Sequence, residues 1–266
     1  MKLWILYDSK KTGSLNQCIG LASAFNLSYK VYSVDKNLFY RFFPIYFFLN
    51  PLIVFLRSVI ILIQFSWPDL IISAGRKSGS VSVYIRQLSN GKTRVIQILN
   101  PKIKISLFDL IVVPEHDFLR GKNILPILGS ITNISTQKLN DSIQKFNLLV
   151  NHLPRPLISV FIGGNSKYYR FNKFEAYTLV QDLKRIVKST NGSIILTTSR
   201  RTCINSKNVL KKGLQNLPII IYDSGEQNPY FAYIALGDFL IITEDSISMI
   251  CEVCFIRKPI YIYSFR

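Results

Sequence analysis

GEQNPYFAYIALGDFLIITEDSISMICEVCFIRKPIYIY, residues 225–263, reads as loop, short helix, strand, sharp turn, helix and strand. Pro229 suits the first turn of a helix, where a missing N–H breaks no bond. Phe239 to Thr243 is a short apolar run rich in β-branched residues, as a buried parallel strand requires. It stops at Thr243-Glu244-Asp245-Ser246, and apolar residues in a helical pattern (Ile247, Met249, Ile250, Val253) begin at once. Asp245 and Ser246 are both good N-cap residues, so a helix is predicted to open there. A helix opening at the carboxyl end of a parallel strand aims free N–H groups and a positive dipole at the ligand crevice, which suits phosphate. The helix start runs from Asp245 through Ser246 to Ser248. Glu252, nearly two turns on, stands where a carboxylate could reach a ribose hydroxyl. The same pattern also describes an ordinary βαβ unit with a capped helix, because Asp-Ser has no binding fingerprint of its own.

Outward from this unit the strand–helix alternation continues. Upstream in the second half come the strand Ile158 to Ile162, the turn Gly163-Gly164-Asn165-Ser166-Lys167 and an amphipathic helix over 174–187. The strand Ser193 to Thr198 follows, ending in Ser199-Arg200-Arg201-Thr202, and then Leu217 to Tyr222. The first half begins with the strand Leu3 to Tyr7, a loop containing Asp8 and Gly13, and a helical pattern through Leu15, Ile19, Ala22 and Phe25. Tyr29 to Val34 is its second strand. Leu70 to Ser73 leads into the basic turn Gly75-Arg76-Lys77-Ser78 and a helix to about Leu88; strands at 94–99, 110–113 and 124–128 complete it. The expected fold class is α/β, with two Rossmann-like doubly wound domains facing a cleft. They cover residues 1–135 and 157–266, joined by a polar helical linker over 136–156 that ends at Pro154-Arg155-Pro156. The loop after the first strand is neither a G-x-G-x-x-G nor a Walker-type P-loop, so dinucleotide and nucleoside-triphosphate binding are not supported.

The formal charge is +18, from 33 Lys+Arg against 15 Asp+Glu. Such a balance suits an anionic partner. The basic residues are spread along both halves, with no dense block and no zinc-finger or RNP-type motif, so no sequence-specific nucleic-acid partner is expected. An anionic small molecule or a membrane surface fits better. The four cysteines, Cys18, Cys203, Cys251 and Cys254, are scattered in a chain without a signal peptide, which points to a reducing, cytoplasmic setting. Cys251 and Cys254 have CxxC spacing but fall in the apolar helix described above, where they read as small packing residues. His116 and His152 are the only imidazoles, so no metal site is expected. Leu38 to Trp67 is strongly apolar and aromatic, yet its uncharged run between Arg41 and Arg57 is fifteen residues, short of the ~20 that a spanning helix needs. Pro44 and Pro51 interrupt it. Three readings stand for this stretch: a true span, which these breaks and Arg57 disfavour, helices resting in a membrane interface through Phe42, Phe43, Tyr46, Phe47 and Phe48, or a plain buried helix pair.

Several short stretches occur in a fixed order: Ile72-Ser-Ala-Gly-Arg-Lys, Gln97 to Pro101, Phe108 to Asp117, Ile162 to Ser166, Thr198 to Thr202, Asn228-Pro-Tyr230 and Asp245-Ser-Ile-Ser-Met249. Together with Gly13, Gln17 and Gly20-Leu-Ala22 they resemble the mitochondrial-fission ELM-type family, whose bacterial members are often labelled nucleoside-diphosphate-sugar epimerase. That family in turn is similar to GT-B glycosyltransferases, whose second domain holds a nucleotide-sugar with a helix N-terminus and a glutamate. The resemblance implies a nucleotide-diphosphate sugar as substrate, no separate cofactor, and a lipid-linked acceptor or membrane surface as further partner. The nucleotide-sugar residues would be Gly163, Gly164, Ser166, Lys167, Arg200, Arg201, Asn228, Tyr230, Asp245, Ser246, Ser248 and Glu252. Gly13, Gln17, Gly75 and Arg76 would lie on the acceptor side. Lys167, Arg200 and Arg201 would neutralise the departing diphosphate, with no metal required. His116, with Asp117 beside it, is a candidate base for an acceptor hydroxyl and equally a structural turn histidine. The epimerase label finds no support in a Gly-rich dinucleotide fingerprint or a Tyr-x-x-x-Lys pair. The plant fission members imply a different role, a membrane-surface adaptor that recruits a dynamin-like protein; for this chain the location would be peripheral on the inner face of a membrane. Two departures stand out. Glu244 adds negative charge beside the proposed diphosphate site, and the chain stops at Arg266, where a shortened second domain is expected.

Overall fold

The computed structural model describes residues 1–9, 11–34, 67–166, 168–223, 225 and 227–265. The apolar stretch 38–66 and Lys167 lie outside the described residues. The chain divides into two compact units, Met1–Asn133 and Ile134–Arg266.

The first unit is a six-stranded parallel sheet of β1 (Leu3–Asp8), β2 (Tyr29–Val34), β3 (Leu70–Ala74), β4 (Arg94–Ile98), β5 (Leu110–Pro114) and β6 (Ile124–Ile127). Its strand order is β2-β1-β3-β4-β5-β6. Alternation along β1 sends Leu3 and Ile5 to one face, against Cys18 and Ala22 of α1 (Thr12–Ala24), and Trp4 and Leu6 to the other, against Val81 and Ile85 of α2 (Arg76–Leu88). A strand covered on both faces favours apolar residues at every position, which is why β1 and β5 read as near-continuous apolar runs; the buried Ser73 of β3 and Gln97 of β4 are exceptions, joined to each other by a hydrogen bond.

The second unit contains α3 (Thr136–Val150), β7 (Leu157–Ile162), α4 (Lys173–Thr190), β8 (Ser193–Thr198), α5 (Ile204–Leu214) and β9 (Ile219–Tyr222). It continues with α6 (Tyr230–Leu236), β10 (Phe239–Thr243), α7 (Ile247–Val253) and β11 (Ile260–Tyr263). The sheet is parallel, in the order β11-β10-β7-β8-β9. Helices α4 and α5 cover one face with Leu179, Leu183 and Leu210; α3, α6 and α7 supply Leu139, Tyr233 and Val253 to the other. Both units are thus doubly wound α/β sheets. Helix α3, expected within a linker, packs along α6 and buries Leu139 and Val150 in the second unit's core. Asn172 opens α4 by accepting from Phe174 N and Glu175 N at 2.8 and 3.0 Å, and Asn191 closes it in the left-handed conformation at φ 53°. Helix α7 ends at Val253, the last residue of its apolar pattern, closed by a tight turn from Phe255 N to Glu252 O. Cys254 is therefore an exposed C-cap residue instead of a packing residue inside the helix, and all four cysteines are free thiols.

Strand order reverses between β1 and β3 in the first sheet and between β7 and β10 in the second, and at such switch points the carboxyl ends of the strands part to leave a crevice. In both units a carboxylate meets a glycine there. Asp8, the last residue of β1, is 2 % exposed and accepts from Ser78 N at 2.9 Å and Ser78 Oγ at 3.0 Å. It thereby supplies the first turn of α2 with the cap that Gly75 cannot. A Cβ on Gly75 would fall inside the Asp8 carboxylate, and a Cβ on Gly163, just past β7, would fall inside that of Asp245, just past β10.

Gly75→Ala and Gly163→Ala should each cost about 1–3 kcal/mol, as overpacking does, Gly75 more because its φ of 119° strains any side chain. Gly13→Ala, where an added Cβ meets nothing within 4 Å, should be neutral or stabilise by about 0.4–1 kcal/mol through the unfolded chain. Urea unfolding midpoints of the three variants check this; a neutral Gly163→Ala would show that the carboxylate yields.

Candidate functional site

Three loops converge at the carboxyl ends of β7, β8 and β10. Gly163 N donates to Thr243 Oγ1 at 2.8 Å, and Thr243 Oγ1 donates to Asp245 Oδ1 at 2.7 Å. The Gly163 carbonyl accepts from Thr202 Oγ1 at 2.8 Å and also from Ser199 Oγ. Asn165 N donates to Arg201 O at 3.2 Å, and Arg201 N to Ser199 Oγ at 3.1 Å. Gly164, at φ 130°, lies so close to the Arg201 carbonyl that a Cβ would overlap it. The glycine pair is therefore fixed by the approach of Asp245 and Arg201, and by a backbone conformation that favours glycine.

The Asp245 side chain has no solvent exposure. Arg201 Nη2 stands 2.9 Å from its Oδ2, an ion pair without the alignment of a hydrogen bond, so that this oxygen has no hydrogen-bond partner among the described residues. Arg201 Nη1 donates to Asn165 O at 3.2 Å, and the side chain stays 40 % exposed. The crevice expected to present bare cations to a diphosphate thus already contains one buried negative charge, paired with one of those cations. Arg200 is exposed on the same turn. Ser166 Oγ accepts from Tyr169 N at 3.1 Å and shapes the turn after Gly164. Glu244, expected to repel a diphosphate, instead accepts from Phe265 N at 2.8 Å through Oε1.

Helix α7 opens as expected at Ser246, whose hydroxyl makes no capping bond; Ser248 is half-buried in its first turn. Glu252 is 9 % exposed, and Tyr230 Oη donates to its Oε2 at 2.6 Å. Burial raises the Glu252 pKa, and the Tyr230 bond works against that rise. Burial likewise pushes Tyr230 well above the usual phenol range, helped by the charge of Glu252. Asn228 Oδ1 accepts from Tyr230 N at 3.0 Å, and the Tyr230 ring stands edge-on to Phe161 at 5.3 Å between centroids. Asn228 therefore sets Tyr230, and Tyr230 sets Glu252, leaving one carboxylate oxygen outside that bond. The structure brings together Gly163, Gly164, Arg201 and Asp245, and separately Asn228, Tyr230 and Glu252.

In the first unit the switch point holds Asp8, Gly75 and Lys11, whose Nζ is 3.3 Å from Asp8 Oδ2. Arg76 is exposed in the first turn of α2, but the N–H of Ser78 beside it is already taken by Asp8. Gly13 lies in the first turn of α1, and Gln17 is buried one turn on. His116 and Asp117 form an exposed 3-10 turn after β5. Asp8 and Thr243 carry geometry that sequence reasoning did not assign; each is a strand-final polar residue in an apolar run, and that placement is their only sequence signal. Gln97, inside a recognised stretch, is buried and stitches β3 to β4, accepting from Ser73 Oγ at 2.6 Å and donating to Gly75 O at 3.2 Å.

The chain is 26% identical to "Uncharacterized protein RP120" of Rickettsia prowazekii (strain Madrid E), over 99% of this chain and 83% of that protein. It is 28% identical to "Mitochondrial fission protein ELM1" of Arabidopsis thaliana over 73% of this chain, and spans about half (51%) of that protein's length. In fold it is similar to the UDP-GlcNAc 2-epimerase of Methanocaldococcus jannaschii, with a TM-score of 0.62 at 14% identity, covering 98% of this chain and 83% of the other. The same enzyme in complex with UDP-GlcNAc and UDP gives 0.55 at 13% identity over the same shares. Similarity at that identity establishes the fold: two doubly wound sheets of the kind found in GT-B-type proteins. The family described as Mitochondrial fission ELM1 matches residues 12–266, and the chain belongs to it.

Proposed function

We propose that the second unit binds a nucleoside-diphosphate sugar at the switch point between β7 and β10, and that the chain transfers the sugar to a lipid-linked acceptor. The observation that carries the reading is the paired arrangement on one sheet edge: a partly exposed guanidinium, Arg201, at the strand ends, and a buried carboxylate, Glu252, near the end of the helix that opens there. Arg201, with Arg200 and Lys167, would meet the diphosphate, and Glu252 the ribose hydroxyls. Support comes from the similarity in fold to an enzyme solved with UDP-GlcNAc and UDP. In the transfer, the acceptor oxygen bonds to the anomeric carbon as the bond from that carbon to the diphosphate breaks. The diphosphate leaves with the electron pair, stabilised by the cations. The hydroxyl proton passes to a base, for which His116 beside Asp117 is the candidate in the first unit; Gly13, Gln17, Gly75 and Arg76 would lie on the acceptor side. The second reading, a non-catalytic membrane-surface adaptor, is favoured by the relative named for mitochondrial fission.

Thermal-shift titration with UDP, GDP, CDP and ADP should pick out UDP, and UDP-GlcNAc should stabilise the protein as well. Incubation with UDP-GlcNAc and a polyprenyl-phosphate acceptor should then release UDP; a free epimer as the product would replace transfer by epimerisation. A protein stabilised by none of these leaves the adaptor reading in place.

Glu252→Gln should weaken UDP-GlcNAc about tenfold, the worth of a charge-assisted hydrogen bond, while pyrophosphate binding stays unchanged. Because burial raises the Glu252 pKa, its carboxylate form, the one that accepts from ribose, is lost as pH falls while ordinary surface carboxylates are still ionised. UDP-GlcNAc affinity of the parent should therefore decline from above the ordinary carboxylate range, near 4.3, and Glu252→Gln should lack that decline. Calorimetry across pH checks both points.

The aromatic stretch 38–67 motivates a proposal of peripheral membrane attachment. Among the described residues no helix is long and apolar enough to cross a membrane. Carbonate washing of membranes should release most of the protein; retention until detergent is added would contradict interfacial attachment.

A further inference from the structure

Asp8 and Asp245 are each a carboxylate laid on a glycine at a topological switch point, with the roles of the two strands exchanged, and they are satisfied differently. Asp8 takes a helix N–H, a hydroxyl and a lysine. Asp245 takes one hydroxyl, Thr243 Oγ1, and among the described residues its second, buried oxygen makes no hydrogen bond and faces the charge of Arg201 Nη2. A buried carboxylate oxygen without a hydrogen bond is unfavourable unless a charge compensates it. Arg201 is that charge, and the arrangement has a consequence for Arg201 as well. Its two terminal nitrogens are held from the protein side, by Asn165 O and by Asp245, while the side chain remains 40 % exposed. A guanidinium offers five N–H donors in a rigid plane, so one held in this way keeps donors in a fixed orientation.

We propose that Asp245 is a positioning residue: it fixes the plane of Arg201 so that the guanidinium meets the diphosphate of the bound nucleotide. The inference rests on the nucleotide-sugar reading above. It assigns Asp245 no contact with the ligand, since a carboxylate facing a phosphate would repel it; Asp245 acts through Arg201. The buried carboxylate also explains the requirement for glycine at 163, where any side chain would displace it.

The test is a double-mutant cycle on UDP and UMP binding, measured by calorimetry with Asp245→Asn, Arg201→Ala and the double variant. Both single variants should weaken UDP about tenfold or more and UMP by no more than about threefold, and the double variant should bind UDP as Arg201→Ala does within about twofold, since the two residues act as one unit. A loss shared equally by UDP and UMP, losses that multiply in the double variant, or an Asp245→Asn that binds like the parent would each overturn the positioning role, while the nucleotide site itself stands. A parent that binds neither ligand overturns both. Should circular dichroism show that Asp245→Asn does not fold, Arg201→Lys decides: a lysine is a point charge on a flexible stem and keeps no plane. Arg201→Lys should bind UDP as weakly as Arg201→Ala, and parent-like binding would show that charge alone matters.

Discussion

In each unit an aspartate carboxylate at the end of one strand is pressed against a glycine that follows the neighbouring strand, and the strand-end loops are arranged around that contact. The two contacts sit where the strand order reverses, the one place in a doubly wound sheet where neighbouring connections leave in opposite directions and open a crevice. In the first unit the carboxylate caps a helix. In the second it stands just before α7 and pairs with an arginine. Thr243, Thr202 and Ser199 tie the same loops to the Gly163 peptide, so the loops that would receive a ligand are braced by hydrogen bonds to one short piece of backbone.

That bracing changes what the glycine pair signifies. Gly163-Gly164 between a strand and a helix suggests a loop kept bare for phosphate. The glycines are in fact required by the protein itself, by the Asp245 carboxylate at one position and by the Arg201 backbone and a φ of 130° at the other. The electrostatics of the crevice shift in the same direction. A single cation paired with a buried anion is a weaker lure for phosphate than a bare cation, but a better-oriented one. Affinity would then depend on geometry more than on net charge, and the +18 of the whole chain contributes through long-range attraction of anions.

Strands and helices were legible in the sequence wherever one residue pattern decides them. The doubly covered strands are mainly apolar runs, and α7 opens at Ser246 where the apolar helical pattern begins, although the hydroxyl makes no capping bond. Helix α3 was misjudged as part of a linker because its polar residues and the following Pro154-Arg155-Pro156 suggest a boundary; its apolar stripe is recognisable only once α6 is there to receive it. Long-range pairs were the least legible. Thr243 meets Gly163 across 80 residues, Asp8 meets Ser78 across 70, and Glu244 accepts from a backbone N–H 21 residues on. Glu252 was named from its place on the helix and Tyr230 through the family resemblance, whereas their 2.6 Å hydrogen bond makes them one device. The missing dinucleotide fingerprint argues only against an epimerase that carries a dinucleotide, and the similarity in fold to a UDP-GlcNAc 2-epimerase is untouched by it.

The central claim is that the crevice between β7 and β10 receives the diphosphate of a nucleotide sugar, with Arg201 on the phosphates and Glu252 on the ribose. A crystal structure of the protein grown with UDP tests it most directly. Phosphate oxygens are expected within about 3 Å of the Arg201 guanidinium, with Asp245 still paired to it and a ribose hydroxyl on the Glu252 oxygen that Tyr230 leaves open. UDP bound elsewhere, or bound in this crevice with Arg201 swung away from the phosphates, would contradict it.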